Sequence, residues 1–194
     1  MSGRVNKRAQ IIDAARRCFY EQGITATGVD TIAEAAGVSK RTLYNHFASK
    51  DDLVLAYIEA REESGWRTML ASLLDDAADP VERILAYFDA YFYVNDDEEF
   101  RGCALINAAA EVGDPESPVL ARLRADKERV HREIAQLVRE AGISDPDSIA
   151  ETLVLLLEGS VALCGVRRDV GGAAAAKRAA RRMLQSWSAP SVSG

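Results

Sequence analysis

The stretch TGVDTIAEAAGVSKRTLYNHFASK, residues 27–50, holds two short helical patterns on either side of the tight turn Gly37-Val38-Ser39. In the first, Val29, Ile32, Ala33 and Ala36 recur at helical spacing, with Asp30 and Glu34 on the opposite side. Thr27 is the expected N-cap, with Asp30 in the favoured acidic first turn. Gly37, free to adopt a left-handed conformation, is the expected stop. The chain restarts at once. Ser39 is a good N-cap, and Val38 before it can staple onto Leu43. Leu43 and Phe47, four apart, give this second helix one apolar stripe. Lys40, Arg41, Thr42, Tyr44, Asn45 and His46 are left facing outward.

Two helices joined by a short glycine-containing turn form a helix-turn-helix, whose second helix can lie in the DNA major groove. Lys and Arg neutralise phosphates or read guanine edges, Asn pairs with adenine, and Thr contacts a thymine methyl or an acceptor. On spacing alone, a polar solvated helix on a small bundle remains an equal reading.

The string GVSKRTLYNHFASKDDL resembles the signature of the TetR family of transcriptional regulators, roughly AGVS-x-G-T-[LI]-Y-x-[HY]-F-x-S-K-x-x-L. TIAEAAGVS is similar to that family's first motif helix, and AARRCFYEQGITATGVD to its first helix and following turn. The specific resemblance covers residues 4–64; beyond it, only the helical layout and RGCALINAAAEVGDPESPV look like the family. Arg41 departs from the pattern, which usually has Gly there. Arg is the better helix former, so the fold is unaffected, but a long cation joins the outward face. The resemblance implies DNA-reading residues Thr27, Ser39, Lys40, Arg41, Thr42, Tyr44, Asn45, His46 and Lys50, with Thr27 and Lys50 on phosphates.

Charge is distributed accordingly. The 194-residue chain has net charge −6, yet residues 1–50 carry eight Lys/Arg against four acids, +4, which leaves −10 on the remainder. A basic head on an acidic body is the footprint of a DNA-reading domain attached to something that does not touch DNA. The hydrophobic fraction of 48% and charged fraction of 28% are ordinary for a globular protein that buries a sizeable core. Cys18, Cys103 and Cys164 stand far apart with no C-x-x-C pair, and no signal peptide is evident. Reduced cysteines and a cytoplasmic location are expected. No uninterrupted apolar run reaches the roughly 18 residues of a membrane helix; the longest, Leu153 to Val166, is broken by Glu158, Gly159 and Ser160.

Along the chain, residues 1–5 read as a short arm, with Arg4, Lys7 and Arg8 suited to phosphates or to solvent. A first helix is expected over Asn6 to Gln22, stopped by Gly23. Ser49 and Asp52 form a capping-box start for a long helix reaching about Asp76. Asp79-Pro80, Ser117-Pro118 and Asp145-Pro146 each place a cap residue before Pro at the first helical position. These mark helices at 80–94, 118–141 and 146–166, with others at 98–112 and 172–187. The fold expected is all-α: a three-helix helix-turn-helix head (4–64, motif 28–47), joined by a long helix to a helical-bundle body (65–188), with a tail at 189–194. About nine helices result.

By resemblance, the last two helices of the body form a homodimer interface, here Leu153, Leu156, Leu157, Ser160, Leu163, Met183 and Trp187; simple core is the alternative for the same residues. Also by resemblance, the body binds an unknown small-molecule effector. Candidate lining residues are Trp66, Met69, Leu70, Phe88, Phe92, Cys103, Ile106, Asn107, Glu111 and Glu158, aromatics around a few polar groups, though a packed core uses the same types. Asn107 and Glu111 stand out because their helix is otherwise almost wholly apolar. Cys103 has no directly adjacent cation and no second Cys nearby in sequence to activate or resolve it. His131 sits in a charged helical stretch, and with His46 the only other histidine, no histidine-rich metal site and no metal or cofactor is expected. No nucleophile–base–orienter set is visible, so an enzyme is not expected. The function implied is a sequence-specific regulator, a repressor, that binds a palindromic DNA operator as a dimer and is released by a ligand. A ligand-independent DNA-binding or architectural protein is the alternative, followed by an enzyme of the helical body for which Glu111, Glu158 and Cys103 are the candidates.

Overall fold

The computed structural model describes residues 6–63, 66–95 and 100–188. The expected arm with Arg4, and the tail from 189 onward, lie outside them. Every regular element among the described residues is a helix: α1 (Lys7–Gln22), α2 (Val29–Ala35), α3 (Lys40–His46), α4 (Lys50–Glu63), α5 (Trp66–Asp76), α6 (Pro80–Asn95), α7 (Ala104–Glu111), α8 (Pro118–Glu140), α9 (Pro146–Arg167) and α10 (Gly171–Ser188). The long helix expected up to Asp76 is described as α4 and α5, on either side of residues 64–65. Counted as one, they bring the total to nine.

The chain divides into two compact units. The first comprises residues 1–64 and 104–124, the second 65–103 and 125–194. The first unit thus contains α1–α4, and also α7 and the first turns of α8.

In the first unit, Ile11, Ala15, Cys18 and Phe19 of α1 meet Ile32 of α2, Leu43 of α3, Phe47, and Leu53, Tyr57 and Ile58 of α4. Ala104, Ala108, Val119 and Leu123 join the same core. Several local signals act as their chemistry dictates. The Asn6 side chain accepts from the Arg8 and Ala9 amides. Ser49 and Asp52 cap each other reciprocally, each side chain taking the other's amide at 3.0 Å. Gly37 has φ +63°, and the Val38 amide returns to the Ala33 carbonyl at 2.9 Å.

Thr27 departs from expectation. The N-cap of α2 is Gly28, with no side-chain cap. Thr27 is buried, its hydroxyl 2.6 Å from the Gly23 carbonyl and 3.2 Å from that of Cys18. A threonine one residue too early for the cap serves the end of the preceding helix instead.

The turn after α1 is held from far along the chain. The Glu111 carboxylate accepts the Ile24 amide at 3.0 Å and the Thr25 amide at 2.7 Å. Burial works to raise its pKa, but the two amides and the nearby Lys50 charge outweigh that and lower it. Gly23, at φ +92°, leaves room for this: a Cβ there would stand 3.0 Å from both Glu111 oxygens.

In the second unit, Leu70, Ile84, Leu85, Phe88, Val130, Ile134, Val138, Leu153, Leu157, Ala180 and Leu184 form the core. Lys177–Asp89 and Arg181–Glu82 ion pairs, each closest at 2.5 Å, tie α10 to α6. Asp79 caps α6 through the Glu82 amide at 2.9 Å, and Ser117 caps α8 through the Val119 amide at 3.2 Å. Asp145 does not cap through its side chain; it precedes Pro146 in a left-handed conformation, φ 54°. The helix expected at 98–112 is shorter, because residues 100–103 are not helical. Gly102 has φ +91° and lies so close to Gly165 of α9 that a Cβ on Gly165 would fall 2.6 Å from its nitrogen. Two glycines allow that backbone-to-helix approach.

Two stability measurements follow. Glu111→Ala is expected to lower unfolding free energy by about 1–2 kcal/mol at neutral pH, for two charge-assisted bonds at a half-exposed site. Because folding depresses this pKa, the contribution is complete above the ordinary value of 4.5 and vanishes as pH falls through the depressed one. Urea titrations of both proteins from pH 7 to pH 3 should therefore converge at the acid end; a constant gap would remove the electrostatic account. Gly165→Ala is expected to cost about 1–3 kcal/mol by overpacking against Gly102. Thermal unfolding reads this directly.

Candidate nucleic-acid interface and body site

A seven-residue helix has no stability of its own, so α3 is held by burial of Leu43 and of Phe47 just after it. Ser39 caps its start, accepting the Thr42 amide at 3.1 Å and lying 2.8 Å from the Thr42 hydroxyl. With that one face inward, Ser39, Lys40, Arg41, Tyr44, Asn45 and His46 are exposed and Thr42 is half-buried. Tyr44, 45% exposed, is a large aromatic left in water among polar neighbours. Lys40 pairs with Asp30 of α2 at 2.9 Å, and that hydrogen bond and charge raise its pKa. The pair links the two motif helices and keeps an ammonium at the start of α3. Arg8 of α1 lies 5.2 Å from the centre of the Phe47 ring. Lys50, half-buried, opens α4.

Of the sequence-selected set, Ser39, Lys40, Arg41, Tyr44, Asn45 and His46 are thus exposed on or beside α3, and Thr27 departs from the expectation. Thr27 is 1% exposed and its hydroxyl is engaged by the Gly23 and Cys18 carbonyls, so that hydroxyl is not directed to a phosphate.

The candidate pocket residues divide between the two units. Ile106, Asn107 and Glu111 belong to the first. Ala104 and Ala108 are the α7 residues buried in its core, which leaves Ile106 and Asn107 exposed. Glu111, expected to face a ligand, is instead committed to the α1–α2 turn. In the second unit, Leu70 and Phe88 are packed core, at 1% and 2% exposure, while Trp66, Met69 and Cys103 are half-buried. The side chain of Phe92 lies outside the described residues.

Glu158 sits in a polar cluster that sequence reading did not assemble. One of its oxygens takes the Lys127 ammonium and, at 3.3 Å, the Tyr91 hydroxyl. Lys127 also lies 3.5 Å from the Cys103 sulfur, so this cysteine does have a cation beside it, 24 residues away in sequence. Burial alone would lower the Lys127 pKa, but Cys103 and Glu158 together raise it; burial, with Glu158 next, pushes Tyr91 well up. Arg67 meets Glu133 through one nitrogen at 3.0 and 3.2 Å, and Tyr87 donates to the same carboxylate at 2.9 Å. Arg67 and Lys127 carry no periodic or motif signal, which is why the sequence concealed them. Among the described residues, no group of three or more His, Cys, Asp or Glu side chains is placed to hold a metal. His131 instead faces the Asp147 carbonyl at 3.2 Å.

The proposed dimer residues also separate. Leu153, Leu157 and Ser160 are buried in the chain's own second unit, while Leu156, Met183 and Trp187 are half-buried and Leu163 is 47% exposed. Two residues not selected, Leu155 at 64% and Val166 at 81%, are the most exposed large apolar side chains among the described residues. With Gly159, Ala162 and Leu163 they form one stripe at helical spacing along α9. By length and composition α9 is apolar enough to cross a membrane, contrary to the reading of interrupted runs, and 39% of its apolar window is buried. Glu158 in its middle, paired to Lys127 of α8, marks a helix packed into a bundle.

Comparison with known proteins gives the same architecture a lineage. Residues 11–57 match the family described as bacterial regulatory proteins, tetR family, and residues 80–183 match the tetracyclin repressor-like C-terminal domain. The HTH-type transcriptional regulator TtgR of Pseudomonas putida is 42% identical over 74 residues, 38% of this chain and 35% of TtgR, so the chain spans about a third of that relative. The transcriptional regulator AcuR of Cereibacter sphaeroides is 31% identical over 159 residues, 78% of this chain and 73% of AcuR. The crystal structure of SCO4454, a TetR-family transcriptional regulator from Streptomyces coelicolor, superimposes with a TM-score of 0.87 at 29% identity, covering 94% of this chain and 96% of that one. With the C-terminal family domain alone spanning more than half of its length, the chain belongs to the TetR family of transcriptional regulators.

Proposed function

We propose that this protein represses transcription by binding a palindromic operator as a homodimer, and that a small molecule bound in its second unit releases it. The observation that carries the reading is α3: a helix too short to stand alone, capped and buried along one edge, with Lys40, Arg41, Tyr44, Asn45 and His46 exposed together. Such a surface has the donors, cations and aromatic contact that base edges and phosphates require. Lys50 supplies a phosphate contact at the start of α4. Repression is the activity named in the matched tetracyclin repressor-like domain. A cytoplasmic site of action accords with three free cysteines.

Dimerisation rests on α9. A helix that is apolar on all sides needs neighbours on all sides, and here one side is left uncovered at Leu155, Leu163 and Val166. Gly159 and Ala162 on the same stripe allow close approach of a second copy. Met183 and Trp187 of α10 extend the interface. Two copies related by a two-fold axis read half-sites about one helical turn apart, which gives one short helix per copy enough sequence to be specific.

Selection of bound sites from random duplexes, at fixed near-physiological salt, should return a palindrome with half-sites about one turn apart. Weak, sequence-blind binding would sink the reading. On the selected site, Tyr44→Ala should cost about 1–3 kcal/mol with the dimer intact, whereas Lys50→Ala should weaken all sequences alike and lower the salt slope by about one per protomer. The double change Leu155→Glu, Val166→Glu should convert the dimer to a folded monomer in analytical ultracentrifugation, with loss of operator binding. A dimer that survives it places the interface elsewhere.

A further inference from the structure

The second unit holds a polar cluster whose hydrogen bonding is incomplete. Arg67 of α5 spends one terminal nitrogen, Nη1, on both oxygens of Glu133. Its guanidinium lies over the Trp66 ring, 4.5 Å from the ring centre. The other edge of the guanidinium, Nε and Nη2, is buried with no partner among the described residues. The Trp66 ring meets the Tyr91 ring edge-on at 5.3 Å. The Tyr91 hydroxyl in turn donates to Oε1 of Glu158. That oxygen also takes Lys127, while Oε2 of Glu158 is buried with no partner among the described residues. One aromatic pair therefore adjoins two unmet donors and one unmet acceptor.

Such groups are rare in folded proteins, because each forfeits its hydration without recovering a bond. The pattern here is specific. Nε and Nη2 form the flat fork whose two parallel N–H groups match the two oxygens of a carboxylate. Glu133, steadied by Tyr87, holds the guanidinium in place. Glu158 is held in the same way by Lys127 and Tyr91. The charges within the cluster already balance, Arg67 against Glu133 and Lys127 against Glu158. An incoming carboxylate is therefore best accompanied by a hydroxyl or amino donor for Oε2. Around these groups the surfaces are apolar and only partly buried: Trp66, Met69, Leu73 and Tyr91. A groove of about 540 Å³ shares Tyr87 and Glu133 with the cluster and is otherwise lined by Leu74, Asp75, Arg83, Arg132, Gln136 and Leu137.

The geometry points to an effector subsite for a small aromatic or similarly flat carboxylic acid that also carries a hydroxyl or amino group. The carboxylate lies on the Arg67 fork, the donor on Glu158 Oε2, and the ring against Trp66 and Tyr91. This rests on the reading of the second unit as the ligand-binding part, and it names the chemistry that part selects.

The test is calorimetric titration of the full chain with phenylacetate, 4-hydroxyphenylacetate and phenylalanine, each alongside its methyl ester. At least one acid is expected to bind tenfold or more tightly than its ester, because only the acid offers two equivalent oxygens to the fork. Arg67→Lys keeps the charge and a pair with Glu133 but has no fork, so it should abolish that preference. Glu158→Gln is the second variant. It should reduce the advantage of the hydroxyl- or amino-bearing acids over phenylacetate, and it keeps the test decisive where the Arg67 variant does not fold. Esters binding as well as acids, no acid binding at all, or an acid preference that survives both variants would each overturn the assignment. Operator binding measured in parallel separates this from the broader reading. An Arg67-dependent acid that leaves DNA affinity unchanged upholds the subsite and removes ligand release. Release by a compound indifferent to both variants, with no acid bound, does the reverse.

Discussion

The first unit depends on one burial. Leu43 and Phe47 are the large apolar side chains that α3 and its C-cap bury, and both are taken into the core with α1, α2 and α4. Seven residues cannot pay the entropy of helix nucleation unaided, so α3 exists where that core holds it. The same burial sets the helix's rotation about its axis. With Leu43 and Phe47 inward, Tyr44, Asn45 and His46 have no direction available but solvent. The exposed surface is a consequence of the packing, and any change that turns α3 to repack Leu43 turns the whole surface with it.

The α1–α2 turn constrains the same unit from a different direction. Thr27 closes the end of α1 with its hydroxyl, and Glu111, 86 residues beyond Thr25, takes the two free amides that follow. Gly23 has positive φ, and its lack of a Cβ leaves space for the carboxylate. Backbone donors exposed at a helix-to-helix turn ordinarily go to water; here they are satisfied by α7. The first unit is thereby completed by residues from the middle of the chain.

In the second unit the governing feature is the cost of charge in a core. Arg67, Glu133, Lys127 and Glu158 are all more than half buried, and each is matched with an opposite charge. Pairs of this kind contribute little net stability compared with apolar packing, but they dictate which helix faces meet. Tyr87 and Tyr91, both with pKa raised chiefly by burial, remain protonated and donate to the two carboxylates. Apolar residues alone would allow α5, α6, α8 and α9 to slide; the paired charges give them one register.

Much of this was legible in the linear sequence. The all-helical composition, the Gly37 turn, the Ser39 and Ser49 caps, the proline-marked helix starts and the outward set on α3 all follow from spacing and local propensity, which act within a few residues. The family likeness followed from the motif alone. What the sequence could not disclose were the partnerships formed over long separations. The neighbours of Thr27 suit a cap, yet it is buried because the end of α1 lies beside it. The sequence around Glu111 suits a pocket residue, yet its partners are amides 87 and 86 positions away. On α9, helical periodicity could not distinguish Leu153 and Leu157, buried at 0% and 1%, from Leu155 at 64%, since a helix apolar on every side has no phase to read. The sequence by itself determined which segments are helices and which residues α3 turns outward. Only the tertiary structure decided which face of α9 is covered and which charges meet, because those depend on what each helix packs against.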